Sequence, residues 1–169
     1  YSYTILLTEA YPPGTVERRR EKGLVTNLYT CCSRPEPNLF SNNASADAVW
    51  IPVYCTSTGH DGYLHWSFMN WTDNPLDDSR FKLFAPGDTY FIYPEGRSSV
   101  RYERLVEGIQ LSEKARLLRE KFIANGDAAS LDRLEKALNP IKMGIVDTRS
   151  TTAATVNYLK ATIDQLSSL

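Results

Sequence analysis

The sequence lacks an excess of charge of either sign, because 19 basic and 20 acidic side chains leave a net charge of −1. Proteins that bind nucleic acids or anionic membrane surfaces use a basic excess or a basic stripe. The one basic run, Arg18 to Arg20, lies before Gly23 in a segment that predicts a short helix, and we interpret it as a solvated helix face. We therefore predict no nucleic-acid partner and no membrane partner.

Cysteine and histidine are scarce. The cysteines, Cys31, Cys32 and Cys55, have no framework spacing, which argues against a disulfide scaffold. No CxxC pair occurs and the only histidines are His60 and His65, so we expect no metal site and no other cofactor. No apolar run reaches the ~20 residues that a membrane-spanning helix needs.

Motifs of several enzyme classes are also missing. The sequence contains no P-loop, no GxGxxG and no Ser-His-Asp order, so nucleotide sites and serine hydrolase triads have no support. The chain starts at Tyr1, already within a strand-like run, and we interpret it as part of a longer protein. The lack of a signal peptide then leaves the location of that protein open.

The composition is that of a globular domain, since 42% of the 169 residues are hydrophobic. The first part predicts alternating elements: strands 3–8, 24–32, 62–68 and 89–93, and helices 15–22 and 44–57. A strand, a helix and a second strand within about thirty residues form a βαβ unit, which implies parallel strands and an α/β fold. Pro52 falls inside the second helix, so we expect a kink there or a start delayed to Pro52.

From residue 98 onward the composition shifts to helix. We therefore predict strand–helix units in residues 1–97 and packing helices in residues 98–169. Helical spacing predicts two largely apolar faces: Leu105, Ile109, Ser112, Leu117 and Phe122 on the first of these helices, and Val156, Leu159, Ile163 and Leu166 on the last.

Capping residues set the expected ends of these helices. Ser98 or Ser99 caps the first helix, and Gly126 ends it. Asp127 caps a second helix, which we expect Pro140 to break. A last helix covers about 151–167.

Aromatic side chains crowd the end of the third predicted strand, where α/β enzymes place their ligands. Trp66 ends the strand and Trp71 lies in the polar loop that follows. Either ring can stack on the apolar face of a sugar, and the alternative is that both are core anchors. Alternation places side chains on two faces, with His65 toward the helices: Leu64, Trp66 and Phe68 on one, Tyr63, His65 and Ser67 on the other.

Carboxylates follow two of the strands. Glu9 ends the first strand, and Asp73, Asp77 and Asp78 follow the third. Two carboxyl groups across a cleft can serve as acid and base in glycoside hydrolysis. Aspartates in loops more often form Asx-turns, and we favour that interpretation for each one. Arg80 either clamps this acidic loop or holds a ligand hydroxyl.

Further polar candidates lie on the second strand and at the start of the long helix. Asn27 and Tyr29 face a pocket in one register of the second strand, and Thr30 and Cys32 do so if the register is shifted. Arg101 lies in the first turn of the long helix, where we expect it to pair with a nearby glutamate of the same helix.

Several blocks resemble the carboxyl-terminal part of the glycoside hydrolase family 123-like catalytic domain. The resemblance covers about residues 15–120, and its last two blocks are specific in order and spacing. In chain order the blocks are LYTCCSRPEPNLF, VWIPVY, GHDGYLHWSFMNWTDNPLDDSRF and PGDTYFIYPEGRSSVRYERLVEGI.

The resemblance implies a (β/α)8 TIM barrel, of which this chain supplies the last strand–helix units and a helical tail. A whole barrel needs about 250 residues, so the N-terminal remainder of the barrel would be a partner of this chain. Characterised family members are similar to β-N-acetylgalactosaminidases, which use the substrate's acetamido group as nucleophile, assisted by an adjacent Asp-Glu pair on an earlier strand. This sequence contains no Asp-Glu dipeptide, so the catalytic pair would lie upstream and the catalytic residues remain unknown.

The resemblance also implies which residues of this chain contact a glycan. Trp66, Asn70 and Trp71 carry over as one wall of the sugar site, and Tyr29 and Glu9 at neighbouring strand ends would line the same cleft. Two alternatives stay open. In the first, the chain is a non-catalytic carbohydrate-binding or scaffold relative of the barrel family. In the second, it folds alone as a small α/β interaction domain with open sheet edges.

Overall fold

The computed structural model describes residues 2–6, 11–32, 36–144 and 149–168. A parallel three-stranded sheet in the order β1-β2-β3 lies at its centre. The strands are Ser2–Leu6 (β1), Val25–Thr30 (β2) and Gly62–His65 (β3). Thr15–Glu21 (α1) connects β1 to β2, and Ser45–Ser57 (α2) connects β2 to β3. The predicted α/β class is confirmed, and the described strands form an open sheet.

The carboxyl ends of the strands lie at one edge of the sheet. Thr30, the last residue of β2, pairs with His65, the last residue of β3. Leu6 at the end of β1 pairs with Tyr29. The carboxyl ends of the three strands therefore lie side by side, as parallel βαβ units require.

Two arginines of the basic run anchor α1 to the sheet. Arg19 donates from Nε to Thr26 Oγ1 at 3.0 Å, and Arg20 pairs with Asp61 at 3.0 Å. The Asp61 carboxylate also accepts the backbone N–H of Thr26 at 2.7 Å. Only Arg18 of the run bonds within its own turn, to Pro13 O at 2.7 Å and to Thr15, so the predicted solvated face is also a docking contact.

The two faces of the sheet differ in burial. On β2, Thr26, Leu28 and Thr30 are buried under the helices, and Tyr63 of β3 packs against the same core. On the opposite face Val25 is 46% exposed and Leu64 41% exposed. The predicted alternation is therefore confirmed for β3, and one face of the sheet is left uncovered by the described residues.

Three further helices pack on the helical side: Val100–Asn125 (α3), Ala128–Lys142 (α4) and Arg149–Ser167 (α5). Ser99 caps α3 by accepting the Tyr102 N–H at 3.2 Å, and Gly126 ends it at φ 68°, as predicted. The face predicted for α5 is fully buried: Val156, Leu159, Ile163 and Leu166. None of the described helices is long and apolar enough to cross a membrane.

The core centres on α2, whose Val49, Trp50 and Ile51 are almost completely buried. α3 crosses α2 very closely at Gly108, where a Cβ atom would lie 2.7 Å from the Val49 carbonyl oxygen. Glycine is therefore required at this crossing because the backbones of the two helices approach closely, and not because of a turn. Pro52 lies inside α2, so the delayed start expected at that residue is wrong.

Other predicted boundaries also need correction. β3 ends at His65 instead of continuing to Phe68, and segment 89–93 is no strand, because Tyr90 makes only an isolated bridge with Met69. Tyr90 and Phe91 are buried, so the β-forming side chains of this segment reflect burial instead of ladder pairing.

α4 continues through Pro140 to Lys142, because tertiary packing of its last turn outweighs the loss of one backbone bond.

The apolar face predicted for α3 was partly wrong. Ile109 is 55% exposed and Leu117 51% exposed, although Leu105 and Phe122 are buried as predicted. Ser112 is buried as predicted, and the face in contact with the core also includes small residues, which a search for large apolar side chains passes over. The buried residues of this face are Leu105, Gly108, Leu111, Ser112, Ala115, Leu118 and Phe122.

Candidate functional site

The chain leaves β3 and returns to its end through a second segment, which we call the returning segment, residues 88–92. Ser67 Oγ and Asn70 N–H both donate to the Thr89 carbonyl, at 2.7 and 3.0 Å. The Phe91 N–H donates to the Phe68 carbonyl at 2.9 Å. These bonds close the base of the loop 71–87, so residues just after β3 have a fixed position even though no strand continues there.

Trp66 is half exposed, and both its indole N–H and its ring have a partner in the protein. Its indole Nε1–H donates to Asp88 Oδ2 at 3.3 Å. Its ring packs on Phe84, with the ring centroids 4.7 Å apart. The residue keeps 37% of its surface exposed, so part of Trp66 is accessible to a ligand at the carboxyl edge of the sheet.

Trp71 is held in the same manner by the returning segment. Its indole Nε1–H donates to the Ile92 carbonyl at 2.7 Å, and the residue is 38% exposed. Asn70 beside it is exposed, and its carbonyl accepts the Thr89 hydroxyl at 2.7 Å. The interpretation of Trp66 and Trp71 as fully buried core anchors is therefore wrong, and both remain candidates for ligand contact.

A buried acid–histidine pair lies behind Trp66. The Asp88 and His65 side chains are 0% and 5% exposed, and Asp88 Oδ1 lies 3.4 Å from His65 Nε2. Within the described part of the chain neither of these two atoms has a hydrogen-bond partner, so the two side chains approach each other without hydrogen-bond geometry. His65 also bonds from Nδ1 to the Ser67 carbonyl at 2.8 Å and meets the edge of Phe91. His65 pairs with the buried Thr30 and so lies on the face of the sheet predicted for it, where Phe91 of the returning segment contacts its ring.

Arg101 of α3 fixes the backbone of the returning segment. Its guanidinium donates to the Gly87 carbonyl at 2.6 Å and to the Tyr90 carbonyl at 2.7 Å, on either side of Asp88. A third bond of 2.7 Å reaches the Leu39 carbonyl. Burial lowers the pKa of Arg101 from its ordinary high value. The predicted pairing of this arginine with a helix glutamate is wrong, because three carbonyl groups satisfy it instead.

Tyr29 and Glu9 belong to the other two strand ends. Tyr29 is half-buried at the end of β2, and burial raises the pKa of its phenol, with smaller contributions from Cys31 and the Asp88 carboxylate. Tyr29 pairs with Leu64, the residue before His65, so it lies near the carboxyl edge of the sheet. Thr30, the candidate in the shifted register, is buried and shares a 2.6 Å hydrogen bond with Tyr63. Glu9 lies outside the described residues.

The acidic loop satisfies its own carboxylates. Asp77 accepts a hydrogen bond from the Asn74 side chain, and Asp78 is held by Arg80 through Nε and Nη2, both at 2.8 Å. The Arg80 hydrogen bonds lower the pKa of Asp78 to about 2. The turn interpretation therefore fits Asp77 and Asp78 better than an acid or base role, and Arg80 clamps the loop internally.

Neither a metal cluster nor the main cavity coincides with this edge. Among the described residues, no group of three His, Cys, Asp or Glu side chains could hold a metal ion. A cavity of about 570 Å³ opens beside β3 on the helical side, lined by residues of α2, α3 and the turn before β3, and it includes none of the predicted site residues.

Sequence reasoning missed the residues that support the two tryptophans. Neither Asp88 nor Phe84 was among the candidate site residues, and the role of Arg101 was not identified. The sequence did contain an indication. Residues 89–93 have the aromatic, apolar composition of a buried segment, and they directly follow Asp88. Such a segment predicts that the aspartate is buried as well, and a buried aspartate needs partners.

Comparisons with known proteins give one family. A family model described as glycoside hydrolase 123, catalytic domain, matches residues 1–118. A solved structure of a family 123 glycoside hydrolase from Clostridium perfringens, obtained in a study of the details of glycolipid glycan hydrolysis, is similar with a TM-score of 0.78 at 26% sequence identity. The similarity covers 98% of this chain and 32% of that one. No curated protein sequence matches the chain.

Proposed function

The chain belongs to the glycoside hydrolase 123 catalytic-domain family, and we propose that it forms one wall of the sugar cleft of a glycoside hydrolase. The observation that carries this proposal is the pair Trp66 and Trp71. Each donates its indole N–H to the returning segment and keeps more than a third of its surface exposed, 37% and 38%. A sugar ring stacks on an aromatic face that is fixed in orientation and open to solvent.

The fold proposed for the whole enzyme is a TIM barrel. Parallel strands with helices on one face are the units of such a barrel, and its interior would be the face on which Val25 and Leu64 are exposed. Active sites of these barrels lie at the carboxyl ends of the strands, which is the edge that carries Trp66, Asn70 and Trp71. The helices of residues 98–169 would then pack outside the barrel units of residues 1–97.

The proposed substrate is a glycan that carries an N-acetylhexosaminide. The proposed reaction is substrate-assisted hydrolysis with retention, in which an acid pair outside this chain assists the acetamido group. This chain would contribute binding surface, with Tyr29 and Glu9 completing the cleft. The family membership supports this assignment, and so does the use of Asp77 and Asp78 in contacts within their own loop.

The test is Trp66→Ala in the intact protein that contains this chain. Loss of one stacking surface is expected to lower kcat/KM on N-acetylhexosaminide substrates about 10- to 100-fold, or roughly 1.4–2.8 kcal/mol. Tyr158→Ala is the matched control, because Tyr158 is an exposed aromatic of α5 on the helical side. Unchanged kinetics in folded Trp66→Ala would remove this residue from the site.

A second candidate function is carbohydrate binding without catalysis, and the same variant distinguishes it from hydrolysis. In that case the intact protein binds glycans in calorimetry without releasing a sugar, and Trp66→Ala weakens binding by the same factor. Hydrolysis by the parent protein would contradict this alternative.

A further inference from the structure

The Asp88 carboxylate is completely buried, which is unusual for an aspartate. Its side chain has no exposed surface, and an ionised carboxylate without partners is costly in a protein interior. Both oxygens point back to the two residues that end β3 and begin the loop. Oδ2 accepts the Trp66 indole N–H at 3.3 Å, and Oδ1 faces His65 Nε2 at 3.4 Å.

The backbone around Asp88 is fixed independently of these contacts. Arg101 bonds the carbonyl groups of Gly87 and Tyr90, which flank it. The Thr89 carbonyl accepts bonds from Ser67 and Asn70. The carboxylate is therefore presented from a rigid support, and its position does not depend on Trp66.

The orientation of the Trp66 ring depends on the Asp88 carboxylate much more than the position of the carboxylate depends on Trp66. Apart from the indole N–H bond, the described contacts of its ring are with Phe84 and, at 6.4 Å between centroids, with His65. A half-exposed ring held by ring–ring packing can slide or turn, since aromatic pairs tolerate offset and tilted arrangements. The directional bond to Asp88 removes that freedom.

We propose that Asp88 is a positioning residue for glycan binding, which orients the exposed face of Trp66 through the indole N–H, while its second oxygen faces His65 Nε2 without a hydrogen bond. Its effect on binding rests on the proposed function, whereas its effect on the Trp66 ring does not. Because a preoriented ring serves bound substrate and transition state alike, loss of the orientation raises KM more than it lowers kcat.

The test compares Asp88→Asn and Asp88→Leu in the intact protein. Asparagine keeps an oxygen acceptor for the indole but loses the charge opposite His65, whereas leucine keeps the volume and loses the acceptor. We expect Asp88→Leu to raise KM about tenfold with kcat within about twofold, and Asp88→Asn to recover most of the loss. Asp78→Asn is the control, because it removes an exposed loop carboxylate whose partner is Arg80.

A double-mutant cycle separates positioning from general destabilisation. In a Trp66→Phe background the ring remains but the N–H is gone, so Asp88→Leu should change KM by less than about twofold. An equal increase of KM in both backgrounds would overturn the proposal. So would an unchanged KM in folded Asp88→Leu with Trp66 intact.

A spectroscopic measurement keeps the test independent of catalysis and of the leucine variant. With 5-fluorotryptophan incorporated, the ¹⁹F resonance of Trp66 is assigned by its loss in Trp66→Phe. Asp88→Asn should shift or broaden that resonance, and Asp78→Asn should not. If Trp66→Ala leaves glycan kinetics unchanged while this shift occurs, the proposed function fails and the positioning role stands. A Trp66 resonance that is unchanged in Asp88→Asn refutes the positioning role.

Discussion

Single polar contacts decide the geometry of this strand edge. Trp66 and Trp71 each have one indole N–H, and both bonds go to the returning segment. A tryptophan that is only half-buried still satisfies its N–H, so the two bonds determine which faces stay open. The chemistry of the edge therefore depends on residues 88–92 as much as on the tryptophans themselves.

Cys55 gives a prediction at the scale of one residue. It is buried, and its thiol donates to the Gly62 carbonyl at 3.1 Å. Burial raises its pKa to about 12, so almost no thiolate is present near neutral pH, and the thiolate is the reactive form. We expect Cys55 to resist iodoacetamide in the native protein and to react when the protein is unfolded in guanidinium chloride.

Peptide mass spectrometry of the labelled protein measures this directly. Free glutathione in the same sample provides the reference rate for an unprotected thiol. Native labelling of the Cys55 peptide at the glutathione rate would contradict the burial of this side chain.

At the scale of elements, the crossing of α2 and α3 sets the spacing of the helical layer. Alanine at an exposed glycine of a helix stabilises by about 1 kcal/mol. At Gly108 the added Cβ would lie 2.7 Å from Val49 O and 2.9 Å from Val49 Cα, both backbone atoms that cannot move alone. We expect Gly108→Ala to lower the free energy of unfolding by about 1–3 kcal/mol, as overpacking does.

Chemical denaturation of Gly108→Ala and Gln110→Ala checks this expectation. Gln110 is exposed two positions further on the same helix, so its replacement by alanine should change stability by less than about 0.5 kcal/mol. A stabilised Gly108→Ala would show that the helices can separate at little cost.

Elements with local signals could be predicted from the sequence, and elements held by distant contacts could not. Ser99 and Gly126 mark the ends of α3 through contacts within one turn, and both were identified correctly. The segment 89–93 has the composition of a strand, but it is positioned by Arg101 and by residues about twenty positions earlier. Trp66 and Trp71 were found because they follow a recognisable strand. Asp88 was not, since its partners are 22 and 23 positions away along the chain.

At the scale of the whole molecule, the uncovered sheet face is the feature that a barrel would explain. Val25 and Leu64 are exposed there, and the family structure is about three times as long as this chain, which covers 32% of it. In the proposed barrel these side chains point into a packed interior, because the inward-facing residues of barrel strands stack in layers. The alternative of an independent small domain leaves the same side chains in solvent.

Leu64→Lys distinguishes the two arrangements, because a charge is tolerated in solvent and costly in a packed interior. In the intact protein the barrel predicts a loss of stability of about 3 kcal/mol or more, since a buried, unpaired charge is among the most destabilising changes. In the isolated 169-residue chain the same substitution should change stability by less than about 0.5 kcal/mol. Ile123→Lys is the control in both contexts, because Ile123 is exposed near the end of α3 on the helical side. Denaturant unfolding measures all four variants, and an intact protein that tolerates Leu64→Lys as well as Ile123→Lys would contradict a barrel interior at this face.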